Sequence, residues 1–276
     1  MSTNQQFDRI RRLASQLAGI ELSERHRELL ARRSGRLDIH DGDGFDALLG
    51  DVESGDPAAV QKFLCLLTTK FTGFFRHPRH FEMAAEHAWR VAPDRGRARL
   101  WSAAAATGEE PWSLAMALVE KFGCENPPAS VLATDVDAAA IATARRGQYS
   151  EPALLALSSD RRQRFFYDSS IVSSLRQLVE FRLLNLADVV WQIEGPFDVI
   201  FCRNVMMYFE ASHRYAVLER MASLLAPGGL LFIDPTEHLG NAGHWFDSKA
   251  DGVYLRRAVA SVPKRGLRRD FIASSR

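Results

Sequence analysis

The sequence predicts an α/β protein: a mostly parallel sheet preceded by a small all-helical domain. Three observations predict it. From about residue 98 onward, short apolar strand patterns alternate with helical ones, as in a parallel sheet with crossover helices. Before residue 70 the apolar residues recur at helical spacing. Three of the strand patterns then stop at polar residues: Leu100-Trp101-Ser102-Ala103 runs toward Thr107-Gly108-Glu109-Glu110-Pro111, Val131-Leu132-Ala133-Thr134 ends at Asp135, and Phe197-Asp198-Val199-Ile200-Phe201-Cys202 ends at Arg203-Asn204. Ligands of open α/β sheets bind at the carboxyl ends of strands, so these polar positions read as site residues. Three of them in chain order suggest one nucleotide-like ligand lying across one sheet.

Element by element, Phe7, Ile10, Ala14, Leu17 and Ile20 mark an amphipathic helix over 7–20. A second helix spans 22–33, with Ser23 at its cap and Arg25 and Arg32 on one face around Glu28. Gly42-Asp43-Gly44 breaks the chain, and a third helix runs over 57–70, opened by Pro57. These make a helical N-terminal domain over 1–70, expected to dock the substrate, and a linker with local structure follows over 71–95. The sheet domain fills 96–276. Its strands are expected at 98–103, 131–135, 179–184, 197–202 and 229–234, with helices near 110–122, 136–146 and 211–225. A helix-like run follows Asn204, and Val253-Tyr254-Leu255 reads as a strand in a closing pair between Phe246 and Val259. Residues 154–178 interrupt the alternation.

Composition narrows the function classes. In 276 residues, 46% of them hydrophobic, no apolar run reaches membrane-spanning length, and Met1 to Phe7 lack the apolar core of a signal peptide. A cytoplasmic location without membrane insertion is expected. Cys65, Cys124 and Cys202 are odd in number and widely spaced, which makes them core thiols and gives no zinc spacing; no metal is expected. The net charge of +1 hides an Arg-rich segment from Arg9 to Arg36, an acidic one from Asp38 to Asp56, and a basic tail from Arg256 to Arg276. The Arg-rich segment reads either as a solvated helix face or as a surface for an acidic partner. Aromatic and basic residues do not interleave into a stacking platform, which argues against nucleic acid. Nothing in the chain demands a dimer, and a monomer is expected.

The first polar strand end carries the cofactor argument. Thr107 and Glu110 have the spacing of a capping box, which gives Glu110 a structural duty and leaves Glu109 to face a ligand. A helix N-terminus ordinarily suits phosphate. Two adjacent carboxylates repel phosphate, whereas the sulfonium and ammonium of S-adenosylmethionine match them. Asp135 is placed to accept both hydroxyls of a ribose, or to cap the next helix. No GxGxxG loop follows the first strand, so a nucleoside without a pyrophosphate is favoured over NAD or FAD.

The ordered segments Phe71-Thr72-Gly73-Phe74-Phe75-Arg76, Trp101-Ser102-Ala103, Thr107-Gly108-Glu109-Glu110-Pro111, Ala133-Thr134-Asp135-Val136-Asp137, Asn185-Leu186 and Pro196-Phe197-Asp198-Val199-Ile200-Phe201-Cys202-Arg203-Asn204-Val205 resemble the CheR family of chemotaxis receptor methyltransferases. The resemblance runs from about Phe7 to Val259, and the TGEEP and CRNV elements at this separation are highly specific. It implies a class I S-adenosylmethionine-dependent methyltransferase fold with a Rossmann-like sheet. It also implies S-adenosyl-L-methionine as cofactor, S-adenosyl-L-homocysteine as product, and glutamates on the cytoplasmic methylation helices of chemoreceptors as substrates. Carried over by position, Thr72 and Arg76 match the segment that contacts the cofactor from the interdomain linker. Glu109 matches the acid near the methionine end, and Asp135 the ribose-binding acid. Asn185, Leu186, Arg203 and Asn204 match the pairs that complete the pocket. Tyr208 matches a tyrosine close to the methyl-transfer centre, where Arg76 is the other expected catalytic residue; Leu186 and Tyr208 also admit plain packing roles.

The chain departs from the family pattern at several points. Lys70 stands where the family usually has Asn, a change that bears on affinity for a cationic cofactor, and Ala106 replaces a small polar residue. Asp234-Pro235-Thr236-Glu237 replaces the usual polar-Ser-Glu pattern and reads as a tolerated variation. The region that holds a β-subdomain in receptor-tethered members, where a receptor's C-terminal peptide adds a strand, has room here for a hairpin. An enzyme independent of that pentapeptide is expected. The competing class is a catalytically silent module that binds S-adenosylmethionine or S-adenosylhomocysteine. Retention of Thr72, Arg76, Glu109, Asp135 and Asn204 argues against it.

Overall fold

The computed structural model describes residues 3–34, 42–68 and 72–257. Lys70 and the tail beyond 257 lie outside the described residues, as do the side chains of Arg25 and Arg32. The N-terminal domain contains α1 (Thr3–Ala18), α2 (Arg25–Ser34), α3 (Gly42–Glu53) and α4 (Pro57–Leu67). The helix α4 starts where it does because Pro57 occupies the first turn and the Asp56 carboxylate accepts the Ala59 N–H at 2.8 Å. The apolar stripe of α1 (Phe7, Ile10, Leu13, Ala14) closes on Leu48, Leu49, Phe63 and Leu66.

One expectation is corrected here. Gly42-Asp43-Gly44 is no chain break but the first turn of α3. The buried stripe Phe45, Leu48, Leu49 and Val52 repeats at helical spacing and outweighs the roughly 1 kcal/mol cost of each glycine. The stretch expected to be a linker with local structure contains α5 (Pro78–Arg95) from its eighth residue on. Its buried face of Phe81, Ala84, Ala85, Ala88 and Ala92 belongs to the core of the sheet domain. Those alanines bring the helix close to the sheet.

In the sheet domain, β1 (Ala98–Ala103), α6 (Glu109–Phe122), β2 (Ala129–Asp135) and α7 (Ala138–Arg146) come first. They are followed by α8 (Glu151–Leu154), α9 (Ser159–Phe165), β3 (Phe166–Tyr167), β4 (Ser170–Ile171), α10 (Ser173–Arg176) and β5 (Val179–Leu183). The last described elements are β6 (Phe197–Phe201), α11 (Ala211–Leu224), β7 (Leu225–Phe232), β8 (Phe246–Ala250) and β9 (Val253–Arg256). Seven strands form one sheet in the order β5-β2-β1-β6-β7-β9-β8. The first five are parallel, while β9 runs antiparallel to both β7 and β8. Alternate residues serve opposite faces: Leu100 and Phe201 join Phe81 and Trp112, whereas Trp101 and Ile200 join Leu218 and Met221. After β5 the chain returns to the other side of β1 and starts β6, so the strand order reverses beside β1, the place where such sheets bind ligands.

Within the region expected to be reduced, β3 and β4 form an antiparallel hairpin of two residues each, turning at Asp168 and Ser169 (φ 43° and 64°).

Candidate cofactor site

A cavity of about 310 Å³ opens at the carboxyl ends of β1, β2 and β6 and is covered by Ala18, Ile20, Leu67 and Thr68 of the helical domain. The turn after β1 is built on positive φ angles at Ala104, Ala106 and Gly108 (78°, 48° and 100°). Ala104 and Ala105 donate their N–H groups to the Thr134 carbonyl at 2.8 and 2.9 Å, which folds the turn back over β2. At Gly108 a side chain has no space: a Cβ would lie 2.7 Å from that of Ala144 and 2.8 Å from the Tyr149 hydroxyl.

This turn overturns the capping-box expectation. The cap of α6 is Gly108, without a side-chain cap bond, so the helix begins at Glu109. Thr107 donates its hydroxyl to Glu109 Oε2 at 2.7 Å, and Glu109 is absent from the cavity wall. Burial pushes the Glu109 carboxyl above its usual range, against the Thr107 hydrogen bond. Glu110 faces the cavity instead, accepting from Ser102 Oγ and from Arg203 Nε, each at 2.7 Å. The one-residue phase of the helix start exchanges the two carboxylates.

Asp135 is 9% exposed and accepts the Asp137 N–H on Oδ1 (2.9 Å) and the Ala106 N–H on Oδ2 (2.8 Å). Burial raises its pKa, with those backbone donors opposing. The cap of α7 is Asp137, which accepts from Ala139 and Ala140 at 2.8 and 3.0 Å. Asp135 is thereby released from capping and presents its remaining acceptor capacity to the cavity.

At the end of β6, Arg203 is buried, with Nη1 on the Arg76 carbonyl at 2.6 Å and its guanidinium beside the rings of Phe81 and Phe201. Asn204 adopts φ 59° and donates its amide to Asp234 Oδ2 at 2.7 Å. The same Asp234 oxygen lies 3.5 Å from Arg76 Nη2. Asp234 and Glu237, from the tetrapeptide that departs from the family pattern, are both buried. An acidic pair directly after an apolar strand was the signal for them.

Asn185 accepts the Ala187 N–H at 3.0 Å and donates to the Leu17 carbonyl at the end of α1 at 2.6 Å. Leu186 is buried and lines the cavity. The run expected to be helical after Asn204 is one 3₁₀ turn over Met206–Tyr208, and it meets the helical domain directly. Glu21 donates its N–H to the Tyr208 carbonyl at 2.8 Å, Glu210 donates to the Gly19 carbonyl at 3.2 Å, and Ile20 bridges to Phe209. Thr72, Arg76, Asp135, Asn185, Leu186, Arg203, Asn204 and Tyr208 therefore share one cavity, and Glu109 alone of the expected residues does not.

Residues 70–255 match the family described as CheR methyltransferase, SAM binding domain. The chain belongs to the CheR methyltransferase family. It is 38% identical over 261 residues to chemotaxis protein methyltransferase 2 of Pseudomonas aeruginosa, covering 91% of this chain and 93% of that one. It is 38% identical over 261 residues to the chemotaxis protein methyltransferase of Salmonella typhimurium, covering 90% and 88%. The corresponding protein of Escherichia coli K12 is 37% identical over 261 residues, covering 90% and 89%. This CheR-family chain has a class I S-adenosylmethionine-dependent methyltransferase fold, and its cofactor is S-adenosylmethionine. The donor set fits that group: Asp135 offers acceptors for sugar hydroxyls, Glu110 offers a carboxylate to a cationic end, and Val136, Ala140 and Leu186 supply apolar wall. Among the described residues no cluster of His, Cys, Asp and Glu is arranged to hold a metal, and no helix is long and apolar enough to cross a membrane.

Proposed function

We propose that this methyltransferase esterifies glutamate side chains on the cytoplasmic methylation helices of chemoreceptors. The observation that carries the reading is the cavity itself, where the acids Asp135 and Glu110 line the strand ends while Arg76 and Tyr208 stand in the same wall. S-adenosylmethionine supplies a methyl group on a sulfonium, open to in-line displacement. A glutamate carboxylate, with a pKa of about 4.3, is already ionised at neutral pH, so the chain need supply no general base. Its residues supply alignment and a site drier than bulk water. Asp135 would hold the sugar hydroxyls, Glu110 rather than Glu109 the cationic methionyl end, and Asn185 and Leu186 the adenine end. Thr72 and Asn204 would complete the wall. Arg76 is 32% exposed at the side chain and would orient the incoming carboxylate by a charge-assisted hydrogen bond. Tyr208 would pack against the acceptor and exclude water.

The short β3–β4 hairpin supports action without a receptor pentapeptide tether, since two-residue strands offer little edge for strand addition. Residues of both signs on the helical domain support docking of acidic receptor helices only in part. Arg9 and Arg12 are paired with Glu53, and Arg33 donates to the carbonyls of Leu66 and Leu67. The experiment combines methyl-labelled S-adenosylmethionine, the purified protein and nuclease-treated receptor membranes. Base-labile methanol from a receptor-sized band is expected. Cofactor binding without any transfer to receptors that another such enzyme accepts would overturn the reading.

A further inference from the structure

We infer that Glu237, with Asp234, is a positioning residue that fixes the cofactor-facing conformation of the strand-end loop Asn204–Tyr208. The inference rests on the reading of this cavity as the cofactor site. Asn204 stands in the left-handed region at φ 59°, a conformation that Asn tolerates better than other L-residues but that surrounding hydrogen bonds must select here. The selection comes from the segment just after β7. Glu237 Oε2 accepts the N–H of Asn204 and that of Asp234, both at 3.0 Å, and Oε1 accepts the N–H of Met207 at 3.2 Å. Asp234 completes the clip: Oδ2 takes the Asn204 side-chain amide at 2.7 Å, and Oδ1 takes the Thr236 N–H and hydroxyl at 3.0 and 2.7 Å.

Both the backbone and the side chain of Asn204 are thus held by carboxylates 2% and 5% exposed. Asn204, Met207 and Tyr208 all line the cavity, while Glu237 and Asp234 do not. Glu237 acts on the ligand only through the loop, whereas Asp234 also stands 3.5 Å from Arg76 in the cavity wall. A carboxylate is the one side chain that satisfies this geometry, because all three groups facing Glu237 are N–H donors and an amide would turn a donor toward at least one of them.

The test is Glu237→Gln, read by calorimetry with S-adenosylhomocysteine and by hydrogen exchange over residues 203–210, well below the unfolding temperature of the variant. The expected result is binding weakened by about tenfold at full stoichiometry, with faster exchange confined to that loop. A merely structural role would lower thermal stability and leave the affinity of the folded fraction within about twofold of wild type, and that result overturns the inference. If Glu237→Gln does not fold, Thr236→Val removes one donor from Asp234 and is read in the same way, with a smaller loss of affinity expected and unchanged affinity counting against the clip. Methylation of receptor membranes by the wild-type protein is measured alongside. Its failure would strike the proposed substrate and leave the calorimetric result standing.

Discussion

Glu110 and Arg203 meet at 2.7 Å although 93 residues separate them, and the pair joins the first turn of α6 to the end of β6. Their side chains are 10% and 3% exposed. Removing one partner from such a pair leaves a buried charge uncompensated. Glu110→Gln is therefore expected to cost about 3 kcal/mol of folding stability, measured by urea unfolding. Adding Arg203→Met in the same chain should recover part of that loss.

Asp135 is expected to hold sugar hydroxyls with acceptors that Asn supplies on one side only. Asp135→Asn should weaken S-adenosylhomocysteine binding by at least about tenfold in calorimetry. Unchanged affinity would remove Asp135 from the cofactor site.

Asp234 sets a pH dependence. Burial alone would raise its carboxyl, but the hydrogen bonds from Thr236 and Asn204 and the charge of Arg76 prevail and bring it from the ordinary 3.8 to about 2. A depressed carboxyl stabilises the fold when ionised, so its contribution is complete above about pH 4 and is lost as pH falls toward 2. Asp234→Asn should cost ~2 kcal/mol at neutral pH, and the gap to wild type should close in acid unfolding near pH 2. Glu109 works in the opposite sense: its raised carboxyl favours the protonated fold, so that contribution is present at acid pH and lost as pH rises through the folded value.

Arg33 tests what the basic helical face does. Its guanidinium donates to the Leu66 and Leu67 carbonyls at 2.8 and 3.1 Å, at the end of α4. Arg33→Glu should destabilise the protein by about 1–2 kcal/mol in thermal unfolding, even with no receptor present. A normal melting curve with impaired receptor methylation would restore this residue to docking.

The sheet was legible because its strands are short apolar runs whose polar ends coincide with the site: Asp135, Arg203 and Asn204 stand at strand ends in sequence and in space. What escaped was set by particular backbone geometry. The exchange of Glu109 for Glu110 follows from positive φ at Ala104 and Ala106, residues whose identity gives no hint of that conformation. The helix α3 was hidden behind two glycines, and α5 behind a stripe of alanines that reads weakly as a buried face. The acidic pair Asp234 and Glu237 stands after an apolar strand in the sequence, but its role was missed because the partners are mostly backbone donors, some of them 30 or more residues away.

The seam between Gly19–Glu21 and Tyr208–Glu210 has a consequence for engineering. Here the first domain lends main-chain groups and Ile20 to the rim of the cavity, so a chimera that imports another helical domain imports part of the binding pocket with it. Cofactor affinity would then change with the imported helical domain.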